Sequence, residues 1–461
     1  LSSSSLPSPA TDTAVPATDR PRARVALAIG SLGFFLITLD ISIVNVALTN
    51  ISQDLGGGTA GQQWTIDGYT LLFASLLLFA GNLTDRIGAK QALTLGITVF
   101  TLASAACAGA PGIGALVAAR CVQGAGAAIM LPASMALIRE AFPDSRRRAR
   151  ALGVWAVGGA VAALIGQPLG GVLTTLDWRW VFTINLPVCA AMLICLVRVA
   201  HSPSRPSPFD WPGQLLALIA MAGLVYGLID GGHAGFASAS AVLTLAVAAL
   251  ATVGFLVVQA RVSHPMMPLD LFTAQGFRIA SVIGFCFMVG NYGSVFLSSL
   301  FLQQHLGLSP LRAGLVYIPS AVLAIVANLS SGPVTNRFGA RVPVVSGMVS
   351  MVVGLVALAA LVPLESPLLV AFSLIFVGAG GALAMPAVTG VVLDGVAPEQ
   401  AGAASAVFNT FRQIGGAVAI AIFGALIAGS GGFVTGMQIG LATAAALLLL
   451  AALIGLRVRT K

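Results

Sequence analysis

The sequence predicts an all-helical integral membrane protein of fourteen spans, built as two related six-helix bundles with two further helices inserted between them. Three observations predict this. Of the 461 residues, 57% are hydrophobic and only 8% charged, whereas soluble domains carry about a quarter charged residues. Apolar runs near the ~20 residues that a spanning helix needs recur along the whole chain. The two halves also repeat each other at an almost constant offset. The 53 glycines suit membrane helices, where small residues let backbones approach closely.

The first residues are Ser, Pro, Thr and Ala without an apolar face, so 1–24 reads as a disordered tail. The run that follows is too long, and too charged, to be the apolar core of a cleavable signal peptide. The predicted spans are 25–48, 63–84, 91–109, 113–138, 149–173, 180–200, 212–230, 236–258, 277–302, 312–332, 342–362, 367–392, 403–428 and 434–456. An even number puts both termini on one side.

Charge says which side. Arg86 and Lys90 follow the second span, and Arg139, Arg146, Arg147, Arg148 and Arg150 follow the fourth. Arg198 and Arg205, Arg261 and Arg278, and Arg337 and Arg341 occupy the later loops of the same parity. The opposite loops hold only Arg179 and Arg312. The positive-inside rule then places both termini in the cytoplasm. Trp178, Trp180 and Trp211 fall at span ends and read as interfacial anchors. Asp67 and Asp230 are expected at the outer interface, mostly solvated.

The net charge of +8 is spread between apolar runs, which argues against nucleic-acid binding. The cysteines, Cys107, Cys121, Cys189, Cys195 and Cys286, form no CxxC and read as packing thiols. No His spacing suggests a metal site, and no cofactor is expected. A membrane-embedded enzyme would need convergent His or Asp groups, and none are spaced that way.

The repeat divides the chain. Gly81–Lys90 (GNLTDRIGAK) matches Gly332–Arg341 (GPVTNRFGAR) at five of ten positions, 251 residues apart. Gly124–Ala133 (GAGAAIMLPA) matches Gly378–Ala387 (GAGGALAMPA) at six of ten, 254 apart. These link spans 1, 2 and 4 to spans 9, 10 and 12. The bundles are therefore assigned to 25–200 and 266–461, with the inserted helices and their linkers in 201–265. Internal repeats of this kind mark secondary transporters, with the substrate site near midplane at the repeat interface. The repeat is asymmetric: Asp40, Asp85 and Arg120 correspond to Asn291, Asn336 and Leu374. The first half thus keeps the ionisable groups.

Asp40 lies inside the first span. A carboxylate at bilayer depth costs a few kcal/mol or more and is by default a functional hypothesis. Arg120 lies at a similar depth in the fourth span, counting ~1.5 Å per residue. An unpaired Arg there would be very costly, so the two are expected to pair. A purely structural ion pair is the alternative.

The chain resembles the major facilitator superfamily, and within it the fourteen-helix drug:proton antiporter family, over roughly residues 25–456. LDISIVNVAL at Leu39–Leu48 is similar to that family's first-helix motif LDxTIVNVALP, with Ser42 for Thr and Thr49 for Pro. RCVQGAGAA from Arg120 is similar to RxxQGxGAA. Gly81, Leu83, Asp85, Arg86, Gly88 and Lys90 match the superfamily loop GxLxDRxGRK, with Ala89 for Arg. The fifth span, with Gly158, Gly166, Pro168, Gly170 and Gly171, resembles the antiporter motif, but ends GQPLGG rather than GPxxGG. QWTIDGY from Gln63, WRWVFTINLP from Trp178, LGLSPLRAG from Leu306 and the Gly402–Gly416 stretch resemble further motifs.

The resemblance implies the major facilitator fold and a proton-coupled exporter of small, largely apolar or cationic drugs, working by alternating access. It also implies a probable monomer in a bacterial plasma membrane. Asp40 and Arg120 would couple the proton. The 81–90 loop would be a conformational latch on the inner side, with Asp85 facing the N-terminus of the helix that starts near Gly402. The glycines and Pro168 of the fifth span would give a bent surface for sliding. Asn45, Phe73, Gln123, Asn291, Tyr292 and Asn328 are cavity candidates. Arg412, inside the thirteenth span, either lines the path or reaches the cytoplasm. A dedicated exporter of one natural product or lipid-like metabolite is the alternative. The fifth-span motif argues against an importer.

Overall fold

The computed structural model describes residues 20–200, 202–204, 209–394, 396, 400–429 and 432–458. Twelve helices among these residues are long and apolar enough to cross a membrane, and a thirteenth qualifies if one bent helix counts as a single span. The first bundle holds α1 (Arg20–Leu55), α2 (Gly58–Ile87), α3 (Ala89–Ala108), α4 (Ile113–Ala141), α5 (Ser145–Leu176), α6 (Trp180–Thr183) and α7 (Asn185–Leu196). The inserted hairpin is α8 (Trp211–Ala234) and α9 (Ala239–Arg261). The second bundle holds α10 (Gln275–Leu300), α11 (Pro310–Leu315), α12 (Ile318–Phe338), α13 (Arg341–Leu361), α14 (Pro367–Asp394), α15 (Ala401–Gly429) and α16 (Phe433–Gly455).

Two boundaries differ from expectation. Helix α1 begins at Arg20, inside the stretch assigned to the tail, because Pro21 sits in the first turn, where its missing N–H costs nothing. The sixth predicted span is a shorter apolar stretch, Trp180–Leu196. Beyond it the N–H groups of Val197, Arg198 and Val199 bond three residues back, tightening the chain into turns. Fourteen full-length spans are therefore not present among the described residues.

The bundles repeat in their packing. Helix α1 pairs with α5 as α10 pairs with α15, α2 with α4 as α12 with α14, and α3 with α4 as α13 with α14. Helix-interior prolines Pro132 and Pro386 occupy equivalent places in α4 and α14. Helix α5 bends by 43° between Arg150–Ala163 and Ile165–Leu176. Pro168 explains the position, since its ring clashes with the carbonyl one turn earlier.

Glycines set how closely these helices approach. A methyl group on Gly158 would come within 2.9 Å of the Ser31 carbonyl oxygen, and one on Gly170 within 2.7 Å of that of Ile43. One face of α5 therefore lies directly on α1. Gly171 serves the other bundle: a methyl there would come within 2.7 Å of the Pro310 carbonyl oxygen.

The bundles meet along two seams, α2 with α15 and α5 with α11, toward the end of the molecule that carries few arginines. Gln63 Nε2 donates to the carbonyls of Ile420 (3.1 Å) and Ala421 (2.8 Å). Ser299 Oγ donates to the Asn45 carbonyl at 2.8 Å. At the arginine-rich end, Gly81, Gly153, Gly332, Gly390 and Gly402 each face open space, with nothing within 4 Å of a notional methyl. The hairpin covers the α2–α15 seam: Met221, Val225 and Ile229 of α8 pack with Leu71, Ala74, Ala417 and Ala421. Helix α9 turns Leu243, Leu250 and Val253 outward.

Gly124→Ala is expected to drive its methyl into the Tyr69 carbonyl, lowering stability by about 1–3 kcal/mol. Gly81→Ala, with no neighbour to strike, is expected to leave stability unchanged. Thermal unfolding of the purified variants checks both.

Candidate functional site

Six helices of the first bundle converge on one buried carboxylate. Asp40 of α1 is completely enclosed and Arg120 of α4 is 1% exposed. Arg120 Nη1 donates to Asp40 Oδ2 at 2.5 Å. Asp40 Oδ1 accepts from Gln123 Nε2 (2.8 Å) and Asn185 Nδ2 (3.2 Å). Ser104 Oγ accepts from the same two amides. Arg120 Nη1 also donates to Gln123 Oε1 (2.7 Å), and its Nε donates to the Thr65 carbonyl (2.9 Å). The guanidinium carbon lies 4.4 Å from the Tyr69 ring centre and 5.7 Å from that of Phe182.

The local sequence explains this convergence. Arg120 and Gln123 are three apart and share one face of α4. Gly124 and Gly126 follow at once, and without side chains they let α2 and α3 press against α4 at Tyr69 and Phe100. The glycines thus bring the donors of neighbouring helices onto the carboxylate. Burying two charges costs several kcal/mol per ion unless the remaining donors and acceptors are satisfied. Here nearly all are, which makes the buried pair tolerable.

The structure relocates several expected residues. Gln123, expected in a substrate cavity, is instead spent on Asp40 and Arg120. Phe73 is buried and stacks on Tyr69 with ring centres 5.8 Å apart. Asn45 returns its amide to the Ile41 carbonyl, and its own carbonyl meets Ser299 at the bundle contact. Asn328 is exposed on α12, while Asn291 and Tyr292 of α10 are partly buried. Gln123 is committed to the ion pair because helical spacing gives a face but not which neighbour that face meets.

Asn185, Ser104, Tyr69 and the Thr65 carbonyl were not anticipated. Asn185 lies in the WRWVFTINLP stretch, whose lone buried amide was the available signal. Asp67 corrects an expectation: it is fully buried, and neither carboxylate oxygen has a hydrogen-bond partner. It lies one turn from Gln63 on α2, on the face turned to α15. Trp178 is also buried rather than interfacial, donating through Nε1 to Asp54 Oδ2 at 2.9 Å. Trp180 and Trp211 are exposed.

The 81–90 stretch ends α2 at Ile87, turns at Gly88 with φ of 89°, and opens α3. Lys90 Nζ donates to the Val199 carbonyl (2.7 Å), and Lys90 N to Ser202 Oγ (3.0 Å). Ser202 Oγ donates to Glu140 Oε2, and Arg86 lies over the Phe209 ring at 4.7 Å. Asp85 is exposed. The Lys90 and Ser202 contacts fasten the loop to the segment leading to the hairpin.

Arg120→Gln leaves Asp40 without its cation and is expected to cost about 3–5 kcal/mol. Adding Asp40→Asn should recover much of that, as read by thermal unfolding of the purified double variant. Asp67→Leu removes a buried carboxylate with no partner and is expected to raise stability by about 1–3 kcal/mol in the same assay.

The sequence matches the Major Facilitator Superfamily over residues 30–420. The chain is 35% identical to the methylenomycin A resistance protein of Streptomyces coelicolor over 397 residues, covering 86% of this chain and 84% of that protein. It is 37% identical to the multidrug resistance protein Stp of Mycobacterium tuberculosis over 404 residues, covering 86% and 74%. In fold it is similar to a crystal structure of a D-xylose–proton symporter, with TM-score 0.68, 13% identity and coverage of 95% and 98%. With its two repeated bundles and buried charge cluster, the chain belongs to the Major Facilitator Superfamily, a family of multi-pass membrane transporters.

Proposed function

We propose that this transporter exports small, largely apolar antibiotics in exchange for protons, by alternating access across a bacterial plasma membrane. The observation that carries the reading is the enclosed Asp40–Arg120 pair, wired to the seam between the bundles. Arg120 holds the Thr65 carbonyl of α2, and Gln63, two residues earlier, holds α15. A proton on Asp40 removes the negative half of the pair and leaves Arg120 seeking another acceptor. The resulting shift acts on α2 and so on the closed seam.

With the arginine-rich loops in the cytoplasm, the conformation described here opens inward. Substrate leaves the cytoplasm through that opening, and protons enter from the other face. A charge crossing the full field is worth about 2.3 kcal/mol per 100 mV. Substrate and proton need not touch, but each must bind the two states with different affinity. The names of relatives that confer resistance support export. One of them is named for a single antibiotic, which favours a dedicated self-resistance exporter as the second reading.

A resistance panel in a pump-deleted bacterial host, wild type against Asp40→Asn, tests the coupling. The variant is expected to lose every resistance at normal protein level. It should also fail to collapse a pH gradient in everted vesicles when an exported drug is added. Equal resistance in the two would overturn the assignment of Asp40.

A further inference from the structure

Arg412 is the one charged side chain placed within the length of a second-bundle helix, rather than near its end, among the described residues. It lies eleven residues into α15, about 16 Å along the axis. Its surroundings are the reverse of those of Arg120. No carboxylate among the described residues pairs with it, and its Nε is enclosed without an acceptor. One donor is used, Nη1 to Asn409 Oδ1 at 3.0 Å. The Phe287 and Phe408 rings flank the guanidinium at 5.8 and 5.7 Å, and the side chain stays partly exposed. The polar neighbours of the Tyr292 hydroxyl are Gln413 and Arg412 itself.

A guanidinium presents five donors in a planar fork suited to a carboxylate. At membrane depth an unpaired cation is costly and calls for a partner. The described residues supply no carboxylate here, but they supply aromatic walls and a fixed fork. Resting on the export reading above, we propose that Arg412 is the anion-recognising residue of the substrate site. A carboxylate or similar oxyanion on the exported compound docks on its fork, with Asn409 holding the guanidinium in place. Tyr292 adds a hydroxyl donor, and Phe287 and Phe408 take the apolar body. The substrates are then amphipathic acids, and cations are disfavoured by the resident charge.

The test compares wild type, Arg412→Gln, Arg412→Lys and Asn409→Ala in a pump-deleted host. The probes are two carboxylate antibacterials, fusidate and nalidixate, with neutral chloramphenicol and cationic ethidium. Wild type is expected to protect against at least one carboxylate. The ratio of carboxylate to chloramphenicol resistance should fall about tenfold in Arg412→Gln, the size expected for losing a charge-assisted hydrogen bond. Arg412→Lys and Asn409→Ala should fall less, since each keeps a positive charge. Wild-type protection against chloramphenicol or ethidium but neither carboxylate overturns this proposal and leaves the export reading standing. A ratio unmoved in all three variants does the same. No protection against any of the four compounds overturns this proposal and leaves the dedicated exporter of one natural product as the export reading.

Discussion

The first bundle is organised around a single buried ion pair. Asp40 and Arg120 have almost no access to solvent, and each is satisfied by groups from neighbouring helices. Such a pair contributes little net stability, because desolvation offsets most of its attraction. What it imposes is arrangement: α1, α2, α3, α4 and α7 must sit where their donors and acceptors reach it. Gly124 and Gly126 permit that approach, and Tyr69 and Phe182 close the walls.

The connection from that cluster to the second bundle is short. Thr65 and Gln63 are neighbours on α2, one holding Arg120 and the other holding α15. The second seam depends on Gly171 and Gly314, where backbone meets backbone between α5 and α11. Bent at Pro168, α5 follows α1 on one face and reaches α11 with the other. The 81–90 loop lies against the segment that leads into the inserted hairpin. In this conformation the loop is tied within its own half, and the α8–α9 hairpin, packed on both α2 and α15, bridges the two halves.

The two halves repeat one scaffold and differ in charge. The first holds a cation whose anion is built in; the second holds Arg412, whose anion is absent from the chain among the described residues. The Asn291 that replaces Asp40 in the repeat is part of that difference.

Much of this was legible in the sequence because membrane physics is severe. Apolar runs and the repeat at one offset dictate a membrane-spanning chain of two bundles, since unsatisfied backbone and stray charge are too costly in lipid. The same cost made the pairing of Asp40 with Arg120 readable from depth alone. The sequence could not say which face of a helix meets which neighbour. Gln123 therefore belongs to the ion pair rather than to a cavity, and Asn185 joins it from α7. Asp67 and Trp178 are buried rather than interfacial for a related reason: a residue a few turns from a span end is wet or dry according to what packs over it. The seams between the bundles, α2 with α15 and α5 with α11, were likewise decided only by tertiary packing. They depend on backbone contacts between helices far apart in the chain, and no local pattern encodes those.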